Sequence, residues 1–205
     1  MNKRSNTGRQ QSSKLGLRPL MLAAALLTAN LIGGPALAET ASGPEWTRDG
    51  QLKLPTGYHG WVFLGSPLTP HALNDGKAGF PEYHNVYIHP DAYAAYRRSG
   101  DFPEGTILLK ELQLTKAGTF KDGSRTEASG RGYFPAARNG IDISVKDSKR
   151  FGDTNGWGFF NFGHHAPPYA QTAAAAPKEA CAACHIANTD NMVFMEFYRP
   201  ILDAE

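Results

Sequence analysis

Cys181, Cys184 and His185 are the residues of this chain best placed to do chemistry, in the run Cys181-Ala182-Ala183-Cys184-His185. The spacing C-x-x-C-H is the attachment signature of a c-type haem. Two thiols can add to the two vinyl groups of one porphyrin, and the adjacent imidazole can reach the iron. These are the only two cysteines among 205 residues, so no thiol is left over. A redox disulfide usually accompanies a βαβ pattern, which the chain does not show. A structural zinc site needs about four ligands, and there is no second cysteine pair to supply them. The motif therefore predicts covalently attached haem c, with Cys181 and Cys184 as anchors and His185 as the proximal iron ligand.

The far side of that iron must come mostly from earlier chain, since only 20 residues follow His185. Beyond the first turns of the motif stand Met192 and Met195. A helix rising about 1.5 Å per residue cannot carry either sulfur around the porphyrin edge, so both are expected to pack in the core. His59, His71, His84, His89, His164 and His165 are the remaining candidates. Scattered histidines mostly lie at surfaces or make local hydrogen bonds, and an open or water-filled sixth site is predicted. His164-His165 follows an aromatic strand and could sit at a cavity mouth.

Lys110 is the most informative residue outside the motif. In Leu108-Leu109-Lys110-Glu111-Leu112-Gln113-Leu114, strand alternation sends Leu108, Lys110, Leu112 and Leu114 to one face. Ile107, Leu109, Glu111 and Gln113 take the other. A lysine among leucines on an inward face is costly unless it has a partner or a reaction to perform. Burial also makes its amine more nucleophilic. The competing reading is a stem that packs while the amine reaches water.

The elements that must position these residues can be read around them. Residues 1–38 look like an export signal: Lys3, Arg4, Arg9, Lys14 and Arg18 precede the apolar run Leu20 to Gly33, and Ala36-Leu37-Ala38 offers a cleavage site. Losing those five basic residues moves the formal net charge from +2 to −3, which leaves no basic patch for nucleic acid. Residues 39–205 suffice for one domain. Short strands are predicted at Trp61 to Leu64 and Val86 to Ile88, a helix at Asp91 to Arg98 with Asp91 as N-cap and Gly100 as stop, and a long strand at Thr106 to Thr115. Further strands are predicted at Ile141 to Val145 and Gly156 to Phe162, and a terminal helix over Asp190 to Leu202, interrupted near Pro200. The predicted fold class is α+β, a single domain rich in antiparallel sheet with a few flanking helices and its haem near the C-terminus.

With these residues in view, the chain resembles the cytochrome P-460 family over nearly all of residues 39–205. The matching stretches are Leu52-Lys53-Leu54-Pro55, Leu73-Asn74-Asp75-Gly76-Lys77 and Val86-Tyr87-Ile88-His89-Pro90. Gly105-Thr106-Ile107-Leu108-Leu109-Lys110-Glu111-Leu112 and Val145-Lys146-Asp147-Ser148 follow, then the haem motif and Asp190-Asn191-Met192-Val193-Phe194 running to Phe197-Tyr198. The resemblance implies a homodimeric periplasmic haem protein. In hydroxylamine-oxidising members a strand lysine is joined covalently to the porphyrin, and Lys110 matches that position. A relative, cytochrome c′-beta, lacks the cross-link and binds nitric oxide and carbon monoxide at an apolar distal site.

Hydroxylamine oxidation needs an open iron site for the substrate nitrogen, a periplasmic electron acceptor and a base for the protons. Asp142 aligns with the distal carboxylate of active members, which tends to be glutamate. In Ile141-Asp142-Ile143-Ser144-Val145 the isoleucines and valine share one face and Asp142 takes the other, which also suits an outward aspartate on a half-exposed strand. His84 stands where a relative has arginine. Three functions follow: an enzyme oxidising hydroxylamine with Lys110 and Asp142 as catalytic residues, a gas binder capped by rings such as Phe80 and Phe134, and an electron-transfer cytochrome.

Overall fold

The structure, a computed structural model, describes residues 43–204. The export signal expected over residues 1–38 lies outside the described residues. The strands are β1 (Leu52–Lys53), β2 (Val62–Gly65), β3 (Tyr83–Ile88), β4 (Ile107–Thr115), β5 (Arg125–Glu127), β6 (Gly130–Gly132), β7 (Pro135–Lys146), β8 (Trp157–Asn161) and β9 (Thr172–Ala173). The helices are α1 (Pro90–Ser99), α2 (Ala182–Asn188) and α3 (Arg199–Leu202). Five strands make one antiparallel sheet in the order β2-β3-β4-β7-β8, while β1 pairs with β9 and β5 with β6. This is the α+β, sheet-rich architecture expected from the strand pattern. Among the described residues, no helix is long and apolar enough to cross a membrane.

β4 and β7 are the long central strands, and alternation along them builds two cores. Ile107 and Leu109 of β4, Ile141, Ile143 and Val145 of β7, and Phe160 pack on one face with Leu52, Tyr58 and Ala173. The other face carries Val86, Ile88, Leu108, Trp157 and Phe159 under Ala92 and Tyr96 of α1, Ala182 of α2, and Met192, Val193, Tyr198 and Ile201. Each large apolar side chain so buried stabilises the fold by about 1.5–3 kcal/mol. Both faces of β4 are therefore covered: Ile107 and Leu109, read as facing away from the inward leucines, are themselves buried. Leu114, expected with those inward leucines, is exposed, because the β4–β7 register shifts beyond Leu112.

Two local expectations are corrected. The N-cap of α1 is His89, not Asp91: Pro90 takes the first helical position, where its missing N–H costs nothing, and His89 Nδ1 accepts from the Asp91 backbone at 3.3 Å. Gly100 ends the helix in the left-handed conformation, as predicted. The helix expected over Asp190 to Leu202 does not form. Met192 has φ +68°, which breaks helical hydrogen bonding, and the chain resumes only as a short 3-10 turn at Met195–Phe197 and the four residues of α3.

Candidate functional site

α2 carries the motif. Cys181 is its N-cap, and Cys184 and His185 lie on the turn that follows, anchored by the buried Ala182. Both cysteines are free thiols, Cys181 half-buried and Cys184 exposed. The His185 ring lies between Phe159 of β8 and Phe194, with ring centroids 4.5 and 4.9 Å away. Its Nδ1–H donates to the Met192 carbonyl oxygen at 2.8 Å. The left-handed turn that ended the predicted helix thus places a carbonyl where it fixes the tautomer of His185 and leaves Nε2 with its lone pair. Burial pushes this imidazole below its ordinary value, the Met192 carbonyl draws it partly back, and the charge of Lys110 lowers it again. A neutral, oriented imidazole is what a metal requires.

The methionine sulfurs are engaged in the core, as expected. Met192 Sδ accepts from Asn155 at 3.7 Å, and Met195 Sδ accepts from Asn191 at 2.9 Å and from Tyr96 at 3.5 Å.

The second half of the site grows from the sheet. Lys110 of β4 and Asp142 of β7 are paired in register, and Nζ donates to Oδ2 at 3.0 Å. Asn161, opposite Asp142 on β8, donates from Nδ2 to Oδ1 at 2.7 Å. His164 Nε2 donates to the same carboxylate, 3.0 and 3.1 Å from its two oxygens. Burial alone raises the Asp142 carboxyl, but the hydrogen bond from His164 and the charge of Lys110 outweigh it and bring it down to about 2. In return, the bond to Asp142 pushes His164 up against burial. Phe80 covers the pair, its ring centroid 4.1 Å from Nζ and edge-on to both His84 and His164 at 5.7 Å. His84 moves down, by burial first and then by the charge of Lys110.

β8 joins the two halves. Phe159 and Asn161 share one face of that strand, about 7 Å apart; the first touches His185 and the second Asp142. Electrostatics agrees: burial raises the Cys181 thiol, Asp142 raises it further, and Lys110 opposes both. One sheet face therefore brings together Cys181, His185, Lys110 and Asp142. Two thiols on a helical turn, an imidazole with Nε2 free and a ring-lined sheet face make a donor set that fits a haem.

The other expected candidates lie elsewhere. His59 is 3.4 Å from Glu111 on the opposite sheet face, His71 lies exposed in a 3-10 turn, His89 caps α1, and His165 bonds its neighbour's carbonyl. Phe134 stands at the far end of β4, where its carbonyl accepts from Lys116. Two participants escaped the sequence reading: Asn161 and the Met192 carbonyl. Asn161 had a signal, as the polar residue two places beyond Phe159 on an aromatic strand. A backbone carbonyl has none.

Glu111 anchors a second polar cluster behind the sheet. It is 4% exposed, accepts from Tyr58 at 2.7 Å and has Arg138 at 3.6 Å.

None of the curated proteins matches the chain. The family model for cytochrome P460 matches residues 55–195, a span that contains every side chain of the site described above. The chain belongs to the cytochrome P460 family, a membership that implies a haem cofactor.

Proposed function

We propose that the protein is a periplasmic c-type haem oxidoreductase that oxidises hydroxylamine to nitrogen oxides. The observation that carries this reading is the Lys110–Asp142 pair at 3.0 Å, on the sheet face that also holds His185. Cys181 and Cys184 anchor the porphyrin as thioethers, and His185 Nε2 ligates the iron. When bound, the haem takes up the electrons of the substrate. Each electron withdrawn from hydroxylamine on its way to nitric oxide is matched by a proton, and Asp142 accepts it.

The present charge state of Asp142 explains why Lys110 matters. A carboxyl held at about 2 is a poor proton acceptor near neutral pH. An N–C bond between Lys110 and the porphyrin, formed at the expense of an N–H and a C–H bond with a peroxide-class two-electron oxidant, would take the ammonium out of the ion pair and raise the proton affinity of Asp142. Asn161 and His164 keep the carboxylate oriented after Lys110 has left. The signal read over residues 1–38 carries the chain to the periplasm, where it works as a homodimer and passes electrons to a periplasmic acceptor.

The visible spectrum of the purified ferrous, haem-loaded protein tests this. A strongly red-shifted Soret band that is lost in Lys110→Ala, together with hydroxylamine oxidation by the wild type, is the expected result. A second reading, a nitric oxide- and carbon monoxide-binding protein like cytochrome c′-beta, draws on Phe80, whose ring covers Lys110. An ordinary five-coordinate spectrum indifferent to Lys110→Ala, with no hydroxylamine turnover, would replace the first reading with the second.

A further inference from the structure

Glu82, one residue ahead of β3, is 7% exposed. Its Oε1 accepts from Asn139 Nδ2 at 2.8 Å, while Oε2 is buried with no hydrogen-bond partner among the described residues. An ionised carboxylate oxygen in that position is costly unless a cation stands near it. Two imidazoles lie within its electrostatic reach, His84 and His164. Only His164 also contacts Asp142, and its side chain is 42% open to solvent. Gly140 makes this approach feasible: a Cβ there would stand 2.8 Å from the Gly163 carbonyl oxygen and 3.0 Å from the His164 ring. The loop can therefore close on β7 and bring an exposed imidazole onto the half-buried Asp142 carboxylate.

Resting on the reading of Asp142 as proton acceptor, we propose that His164 is the proton exit of the site, carrying each proton from Asp142 to solvent through its two ring nitrogens, with the buried Glu82 carboxylate stabilising the imidazolium formed on the way. At the end of each passage Asp142 is again a carboxylate, His164 is again neutral, and water holds the proton. The charged groups that act on His164 are Asp142 and Glu82, which favour its charged form, and Lys110, which opposes it. Loss of the Lys110 charge would remove that opposition, so the change that frees Asp142 also readies His164. His84 also packs edge-on against Phe80, and burial and the charge of Lys110 push it down. The two imidazoles that flank one ring thus do different work: His84 walls the site and His164 opens it.

The test uses the haem-loaded protein and two substitutions. Glu82→Gln keeps an acceptor for Asn139 but removes the charge. His164→Asn keeps a donor toward Asp142 but carries no proton. NMR titration of His164 in the reduced protein should move to lower pH in Glu82→Gln. Hydroxylamine turnover in His164→Asn should fall at least roughly tenfold, with an unchanged melting curve, and recover as the concentration of MOPS, a buffer of similar proton affinity too bulky to ligate the iron, is raised. An unmoved His164 titration, wild-type turnover in His164→Asn, or a slow variant that the bulky buffer does not rescue would each overturn the exit. A wild type that turns over normally beside an unrescued variant removes the exit alone. A wild type without any turnover removes the oxidation reading together with the exit built on it.

Discussion

Lys110 and Glu111 are neighbours on β4, and the pleat sends them to opposite faces of the same sheet. Each meets a partner of opposite charge from β7: Asp142 in front, Arg138 behind. Glu111 is closed over by Tyr58 from the chain ahead of β2, and its side chain is 5% exposed. Lys110 and Asp142 keep 26% and 23% of their side-chain exposure, beneath a loop-borne ring and beside the haem motif. A buried carboxylate bonded by a hydroxyl, with a half-exposed arginine beside it, holds elements together. A half-open pair with several competing donors can change partners. The difference lies in what covers each pair, not in the strand that supplies it.

Substitutions on the two faces should therefore fail in different ways. The largest effect belongs to His185→Ala, which removes the imidazole proposed to ligate the iron: hydroxylamine turnover should be abolished and the absorption spectrum altered. Next comes Asp142→Asn, whose one amide oxygen can still accept from Asn161 but which removes the base and the ion pair with Lys110. Steady-state turnover at neutral pH should fall by about 10²–10⁴, with the fold retained. Behind the sheet, Tyr58→Phe should leave the spectrum and the turnover untouched and cost about 2 kcal/mol in denaturant unfolding, the worth of a hydrogen bond to a buried charge. If Tyr58→Phe slowed turnover, or Asp142→Asn only destabilised, the contrast between the faces would collapse.

The smallest effect is on acid stability. The folded Asp142 carboxyl lies at about 2, below its ordinary 3.8, so the pair with Lys110 and His164 contributes stability above about pH 4 and loses it as pH falls through about 2. The contribution is about 2 kcal/mol at most, since Asp142 is 23% exposed and solvent screens it. His164 has the opposite sign. Its folded value is raised, so its contribution is complete below the ordinary 6.5 and disappears as pH rises through the folded value. The difference in unfolding free energy between wild type and Asp142→Asn, followed from neutral pH to pH 2, should shrink toward zero at the acid end.

Legibility followed sequence distance. Cys181, Cys184 and His185 were readable as a group because they lie on one helical turn and need no tertiary help to come together. The faces of Lys110 and Asp142 were readable because side chains alternate along any strand. Their pairing was not, since register depends on turns and on the irregularities beyond Leu112, and a slip of one residue would have sent Asp142 to the back face. The C-terminal segment misled for a related reason. Met192, Val193, Phe194, Phe197 and Tyr198 have helical spacing, yet burying Met192 and Val193 while turning the Met192 carbonyl to His185 required a left-handed residue.

The amino-acid order by itself therefore determined the grouping of Cys181, Cys184 and His185, the sheet-rich class and which side of its strand each ionisable residue takes, because these follow from backbone period over a few residues. Only the tertiary structure decided that Asp142 answers to Lys110, Asn161 and His164 at once, that Glu82 is buried with one oxygen unpaired, and that Glu111 is sealed behind the sheet. Those facts depend on strand register and on the loops that close over each face, and both are set by long-range packing that no local pattern encodes.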